Sequence, residues 1–410
     1  MKRLLCAFAL LGLAACHSQS SPPATTGAAD APAAARPAAV VSSPGTFYRV
    51  YRGLLPGQAD SITLHLVATP RIFDEAGTAH LGSYYGPDGH PYSLQGQPTT
   101  ADSVVLFDTS PEQAVSAAGT DLYWRLRPEP GRGTLAGTVG GRPVRLRQVL
   151  PAAGTLTFAV RYFADSAAAF PKEAKSPKGR ISWQALVPVG GRAEVRQTLE
   201  ADMLRDLRGD TLGGLPISNL STLYKQQRQQ FFSDYRADAT DLRPAPADTA
   251  EYGSYGIGMS YESQAACYVL CQQGNLVSLA FFTYDFSGGA HGNYGTAAAS
   301  YDLRTGRRLR YADIFRPAAE RQLPALLAQA VRPLVGLPPG APLDEQLLVK
   351  HIPVTHNVFL TPGGVEFIYQ PYEIASYAQG EIRIFLPLAA VQALLREGLP
   401  LAGSRTVAQR

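Results

Sequence analysis

Four cysteines and seven histidines in 410 residues are a thin stock for thiol or metal chemistry. None of His17, His65, His80, His90, His291, His351 and His356 has the spacing of a zinc site, and HExxH is missing. His351 and His356 flank a proline, which works against a shared helical face. The G-x-S-x-G nucleophile elbow and the phosphate-cradling G-x-x-x-x-G-K motif are missing too. No metal and no cofactor is expected. Beyond the extreme N-terminus no run of 18 or more apolar residues occurs, so no internal helix is expected to span a membrane. Charge is sparse at 17% Asp, Glu, Lys and Arg, with a formal net charge of +4. Discounting Lys2 and Arg3 as part of a removed leader leaves +2, which makes no electrostatic case for nucleic acid. The 45% hydrophobic content is enough for real cores and excludes a disordered or coiled-coil chain.

What is there begins with an address. Lys2 and Arg3 precede a short apolar run, Leu4 to Leu13, followed by small residues and Cys16. The run is too short for a bilayer and fits a signal peptide over 1–15. Leu13-Ala14-Ala15-Cys16 resembles the lipobox of bacterial lipoproteins. The resemblance implies lipid on the Cys16 sulfur, cleavage before that residue and acylation of its new amino group, which together anchor stably. The expected place is the cell envelope, on the extracytoplasmic side of either membrane. Residues 16–45, rich in Ala, Pro, Ser and Thr, read as a disordered tether with a reach of roughly 30 Å if flexible.

The fold class expected is α+β, an all-β meander followed by a mixed module of antiparallel sheet and helices. Over 46–150, strand-like runs recur near 46–53, 61–68, 81–86, 91–96, 103–108, 121–127, 133–139 and 143–149, separated by turn signals such as Pro87-Asp88-Gly89 and Gly140-Gly141. Eight short strands suggest a closed barrel or a sandwich. Tyr84, Tyr85, Tyr92 and Trp124 either line a barrel mouth, where they could stack on a sugar, or fill the core. Over 151–250, two strands (155–160 and 181–187) precede two amphipathic helices, one marked by Val195, Leu199, Met203 and Leu207, the other by Leu220, Leu223, Tyr224, Phe231 and Tyr235. Over 251–400, strands are expected at 255–262, 265–271, 275–286, 294–302, 307–311, 355–360, 364–369 and 381–386, with helices at 317–336, 343–350 and 387–397; a tail covers 401–410. Cys267 and Cys271, on one strand, would sit roughly 13 Å apart, beyond the roughly 7 Å a disulfide tolerates, as buried thiols on the same face.

The most specific stretch is Tyr284-Asp285-Phe286-Ser287-Gly288-Gly289-Ala290-His291-Gly292, followed by Tyr301-Asp302-Leu303-Arg304-Thr305-Gly306, Tyr311-Ala312-Asp313-Ile314-Phe315 and Tyr369-Gln370-Pro371-Tyr372-Glu373-Ile374-Ala375-Ser376-Tyr377-Ala378-Gln379-Gly380. This order resembles the extracytoplasmic domain of RsiV-type anti-sigma factors. The segment before it, about 155–245, is similar to the partner domain that also precedes PdaC-type peptidoglycan deacetylases. RsiV-type proteins bind lysozyme outside the cell, so the resemblance implies a lysozyme-like protein or peptidoglycan fragments as partners. Their cytoplasmic sigma-binding segment and transmembrane helix have no counterpart here, and neither does a deacetylase domain.

Gly288 and Gly289 can take positive φ, so a sharp turn is expected to present His291. That turn reads as a recognition loop, a catalytic site or a structural corner, and the sequence leaves the three open. The candidate binding residues are Gly288, Gly289, His291, Tyr372, Glu373 and Tyr377. The leading expectation is a non-catalytic binding lipoprotein. Its rivals are a cell-wall glycan hydrolase or deacetylase-like enzyme using His291, Asp285 and Glu373, and a structural scaffold. Arg304, Arg307, Arg308 and Arg310 read as a solvated hairpin face or an anion-binding patch.

Overall fold

Eight antiparallel strands follow one another without a crossover: β1 (Phe47–Leu54), β2 (Ser61–Pro70), β3 (Thr78–Tyr85), β4 (Pro91–Gln97), β5 (Val104–Asp108), β6 (Tyr123–Glu129), β7 (Thr134–Val139) and β8 (Arg142–Val149). In this computed structural model, β8 returns to pair with β1, so the meander closes into a barrel and leaves no open sheet edge. The structure describes residues 42–71, 77–97, 99, 103–110, 123–209, 219–243 and 257–401. The expected signal peptide, Cys16, most of the tether and the tail after 401 lie outside the described residues.

The bore is filled. Leu64, Leu66, Leu94, Leu106, Trp124, Leu126 and Leu146 point inward and pack as one cluster. Strand β2 is buried on both sides, however: Leu64 and Leu66 enter the bore, while His65 and Val67 face the rest of the molecule. Its alternating pattern therefore separates two apolar environments, not core from water.

A six-stranded sheet is built from β9 (Thr157–Ala168), β10 (Lys178–Val189), β11 (Glu262–Gln273), β12 (Leu276–Phe286), β13 (Asn293–Asp302) and β14 (Arg307–Leu309), in the order 14-13-12-11-10-9. All neighbours are antiparallel except β10 and β11, whose parallel pairing runs the sheet unbroken across residue 250. Between those two strands lie helices α1 (Ala193–Arg208) and α2 (Leu220–Asp241). Gly209 ends α1 in the left-handed conformation, and the Asn219 side chain caps α2 by accepting from the Thr222 amide. Leu199 and Met203 of α1 pack on Val269, Leu279 and Tyr301 of the sheet.

The opposite face of the sheet carries the barrel and a three-stranded sheet of β15 (Val358–Thr361), β16 (Gly364–Tyr369) and β17 (Ile382–Pro387), the last two packing with helix α3 (Ala319–Leu334). Ser278 and Ser300, side by side on β12 and β13, bond the Leu360 carbonyl and amide and so fix β15 on that face. Barrel and three-stranded sheet meet at two glycines: a Cβ on Gly89 would lie 2.2 Å from the Gly363 amide nitrogen, so only backbone can approach there.

The ladder between β11 and β12 slips at Leu270, a β-bulge. The slip corrects the expectation for the two thiols. Cys267, opposite Phe281, lies on the helix-bearing face, whereas Cys271, opposite Ser278, donates to the Leu360 carbonyl on the other face. Both are free and buried. The carbonyls of Val269 and Leu270, at the bulge, accept from the barrel's Ser83 hydroxyl at 2.7 and 2.9 Å.

Three further expectations change. The described part of the strand expected at 255–262 begins as a 3-10 turn, Ile257–Met259. The helix expected at 343–350 is only a 3-10 turn, Leu343–Glu345, because the Leu348 amide leaves to bond the Ile374 carbonyl. The last helix shrinks to Leu388–Val391 plus a 3-10 turn, since Leu395 and Arg396 pair with the 314–315 backbone.

Candidate functional site

Strand β13 has a partly open edge, because β14 covers only Ser300 to Asp302. Upstream, two side chains stand in for a neighbouring strand. Asn357 accepts from the Ala298 amide and donates to the Thr296 carbonyl. Gln370 accepts from the Thr296 amide at 3.0 Å and donates to its carbonyl at 2.8 Å. Gln370 thereby ties the start of the 370–380 loop to the sheet and brings it over the 287–292 turn.

At that meeting point the candidate residues sort themselves. Gly288 and Gly289 have φ of 91° and 93°, and a Cβ on Gly288 would lie 2.8 Å from the Gly258 carbonyl oxygen. His291 stacks on Tyr377 with ring centroids 3.7 Å apart. Its Nδ1 is 3.0 Å from the Gly292 carbonyl and its Nε2 is 3.3 Å from the Tyr372 hydroxyl. A carbonyl only accepts, so in the neutral ring Nδ1 carries the proton and Nε2 accepts from Tyr372. The Tyr377 hydroxyl donates to the same Gly292 carbonyl at 2.6 Å. His291, Tyr372 and Tyr377 therefore form one aromatic unit. Tyr372, 58% exposed, has φ of 69° and is the one non-glycine residue at positive φ among the described residues. That conformation costs on the order of 1–2 kcal/mol.

Glu373 does not join them. Its carboxylate accepts from the Gln370 amide and closes the Gln370–Glu373 turn. Asp285 is exposed, and no hydrogen bond or ion pair among the described residues links it to His291. The triad of His291, Asp285 and Glu373 is thus not assembled.

Behind Tyr377 opens a cavity of about 550 Å³ where barrel, six-stranded sheet and three-stranded sheet meet. The six-stranded sheet contributes Tyr268, Phe282, Tyr284, Tyr294 and Thr296. The barrel adds Leu81, His90 and Ser93, and the C-terminal hairpin adds Glu366, Glu381 and Arg383. In the register of β16 and β17, Glu366, Arg383 and Phe385 fall on one face. Arg383 bonds outward in every direction. It donates to Glu381 Oε2 at 3.0 Å, to the barrel's Ser93 hydroxyl at 2.8 Å, and to the Tyr268 and Thr296 hydroxyls at 3.4 Å. Burial alone would lower the guanidinium pKa, but the fields of Tyr268, Glu381 and Glu366 outweigh it and hold the group above its ordinary value. Burial likewise raises the phenols of Tyr268, Tyr284 and Tyr294.

A second hollow of about 340 Å³ opens at the barrel end, between Tyr84, Tyr92, Gln58, Asp60 and Asp88. Tyr84 and Tyr92 stack at 4.8 Å, and the stack continues through His90 (4.6 Å) to Phe385 (4.4 Å), riveting barrel to hairpin. The four aromatics of the barrel divide accordingly. Tyr84 and Tyr92 line the mouth, Trp124 fills the bore, and Tyr85 faces outward to donate to the Gln272 carbonyl.

Among the described residues no group of three or more His, Cys, Asp and Glu is placed to hold a metal ion. His356 is engaged by Glu320 at 3.0 Å and by the ring of Tyr311. The arginine hairpin is largely committed as well: Arg304 to Asp302, Arg307 to Asp313 and Arg308 to Asp206.

The sequence reading passed over Glu366, Glu381 and Arg383. Their signal was present: Glu366 breaks the apolar run Gly364–Tyr369, and Glu381 and Arg383 alternate with the buried Ile382 and Ile384 at the start of β17.

A profile described as a protein of unknown function, DUF3298, matches residues 312–389. A solved DUF3298-family protein of Bacteroides fragilis is 23% identical, with a TM-score of 0.51, over 60% of this chain and 95% of its own. Another, of Pseudomonas aeruginosa, is 20% identical, with a TM-score of 0.41, over 59% of this chain and 95% of its own. The curated proteins give no match. The first of these likenesses speaks to the fold. The stretch similar to that family holds Tyr372, Tyr377, Glu366, Glu381 and Arg383, so the charged wall of the cavity falls within it.

Proposed function

We propose that the protein is a cell-envelope lipoprotein, anchored through Cys16 on the extracytoplasmic side, that binds peptidoglycan fragments without transforming them. The observation behind this is the cavity at the three-way junction, walled by tyrosines that include Tyr377, the ring on which His291 and Tyr372 pack. Its volume lies in the range of sites that bury one small ligand. Tyrosine faces suit the apolar faces of sugar rings, and the buried polar groups suit their hydroxyls. His291 backs the Tyr377 wall instead of facing a reacting atom, which favours gripping over hydrolysis. The RsiV-type resemblance of the two motifs supports the same compartment. A lysozyme-like protein is the second reading, favoured by one observation: Tyr372 is held exposed in a strained conformation beside the cavity.

Calorimetry of the full chain in detergent against purified muropeptides and against lysozyme tests both readings. Muropeptide affinity lost on Tyr294→Ala is the expected result. Binding of neither probe overturns the proposal, and turnover of the muropeptides overturns its non-catalytic part.

A further inference from the structure

We infer that the cavity selects a ligand carrying a positively charged amino group, and that Glu381 is the residue that reads it. This rests on the junction cavity being the ligand site, as proposed above. Arg383 has no two-pronged fork left for a ligand anion, since only one of its five N–H groups, on Nη1, lacks an acceptor among the described residues. Its Nε and Nη2 donate to Glu381 Oε2, its Nη1 to Ser93, and Nη2 also reaches the Tyr268 and Thr296 hydroxyls. Glu381 is the reverse case. Its Oε2 is held by Arg383, while Oε1 is buried with no hydrogen-bond partner among the described residues. The side chain is only 11% exposed, and it lines the cavity. A buried carboxylate oxygen without a donor is destabilising. Oε1 is closed to solvent as it stands, so a ligand's donor has to be met by a turn of the carboxylate toward the cavity; a donor so placed reduces that deficit, and a charged donor reduces it most.

An ammonium fits better than a hydroxyl for two reasons. The charged walls of the cavity are two carboxylates and one guanidinium, and the guanidinium is already engaged. The other walls include four tyrosines, Tyr268, Tyr284, Tyr294 and Tyr377, and aromatic faces attract cations. A carboxylate or phosphate entering the same space would meet Glu381 with no free cation to offset it. The shared chemistry is thus a primary amine on a sugar- or peptide-sized ligand, as in a de-N-acetylated hexosamine or a diamino acid of a peptide stem.

Calorimetry at pH 6 with three probes tests this on the full chain in detergent: tri-glucosamine, its tri-N-acetylated form, and a lysine-containing tripeptide. Tri-glucosamine or the tripeptide should bind about tenfold tighter than the acetylated trimer, the scale of one charge-assisted contact. Preference for tri-glucosamine alone identifies an amino sugar as the source, and for the tripeptide alone a peptide amine. In Glu381→Gln, an isosteric change, the ratio of affinities between the amine-bearing and acetylated probes should fall to about one, whatever happens to the absolute affinities. Equal binding of all three probes sinks the inference but leaves the cavity as the ligand site. No binding of any of them sinks both. The probe comparison needs no variant, so a misfolded Glu381→Gln does not blunt it.

Discussion

Each face of the six-stranded sheet holds a cluster of two carboxylates, a tyrosine and an arginine, joined on the helix side by the exposed Arg205, and the clusters end differently. On the helix side, Arg308 holds both oxygens of Asp206 at 2.6 and 2.8 Å, while Asp202 accepts from Arg205 at 2.6 Å and from the Tyr301 hydroxyl at 3.0 Å. All four carboxylate oxygens are engaged. Burial still raises the Asp206 carboxyl above its ordinary pKa, against the opposing pull of Arg308. On the barrel side, Arg383 serves Glu381, Tyr268, Thr296 and Ser93 at once, and one Glu381 oxygen is left over beside a cavity. A satisfied network rigidifies; an unfinished one is where a ligand is expected. The same residue types thus make a closed seal on one face and an unfinished, cavity-lining cluster on the other.

Removing each arginine tests that contrast most harshly. Arg383→Met leaves Glu381 buried without its cation and should cost about 3–5 kcal/mol of unfolding free energy. Arg308 is twice as exposed in its side chain (26% against 13%), so Arg308→Met should cost less, about 1–3 kcal/mol. Denaturant titration of both variants measures the difference, and equal losses would erase the distinction between the faces.

Acid should weaken the barrel side selectively. Burial, with Arg52 adding to it, lowers His65 to about 3, and burial lowers His80 to about 4. Both are neutral in the fold, whereas their unfolded forms take up protons below about pH 6.5. The stability they confer is full above that pH and drains away as pH falls toward 4 and then 3, amounting to several kcal/mol. Hydrogen exchange at pH 4 should show strands β2, β3 and β11 losing protection before helix α1. His65→Gln should flatten the acid limb, and an unchanged limb would contradict the assignment.

The rim should respond least. Tyr372→Gly removes the left-handed strain and should raise stability by about 1 kcal/mol while weakening muropeptide binding. His291→Ala should leave the melting temperature within about 2 °C and weaken binding through Tyr377. A large loss of stability in His291→Ala would make the turn a structural corner instead.

The barrel was nearly legible strand by strand, because each strand has its own turn signal and each pairs with its sequence neighbour apart from the β1–β8 closure. The glycine turn was legible as well, but its meeting with Tyr372 and Tyr377 was not, since it depends on Gln370 tying a loop some eighty residues away to the sheet edge. What was hidden depends on contacts distant in sequence. The charged cavity wall is made where Arg383 reaches Ser93, 290 residues away. Burial of His65 needs a sheet packed outside the barrel, which alternation within β2 cannot announce. The two cysteines part company because of a single inserted residue, Leu270, and four-residue spacing carries no trace of a slip.

The parallel seam between β10 and β11 has one more consequence. Every other strand in that sheet finds a neighbour close in sequence, but this pair is joined only through the two helices and the stretch after them. A chain cut between 243 and 257 would yield two pieces, each ending in a naked edge shaped for the other. Expressed together they should click into one body, as a split reporter does, and expressed apart each should go looking for a substitute.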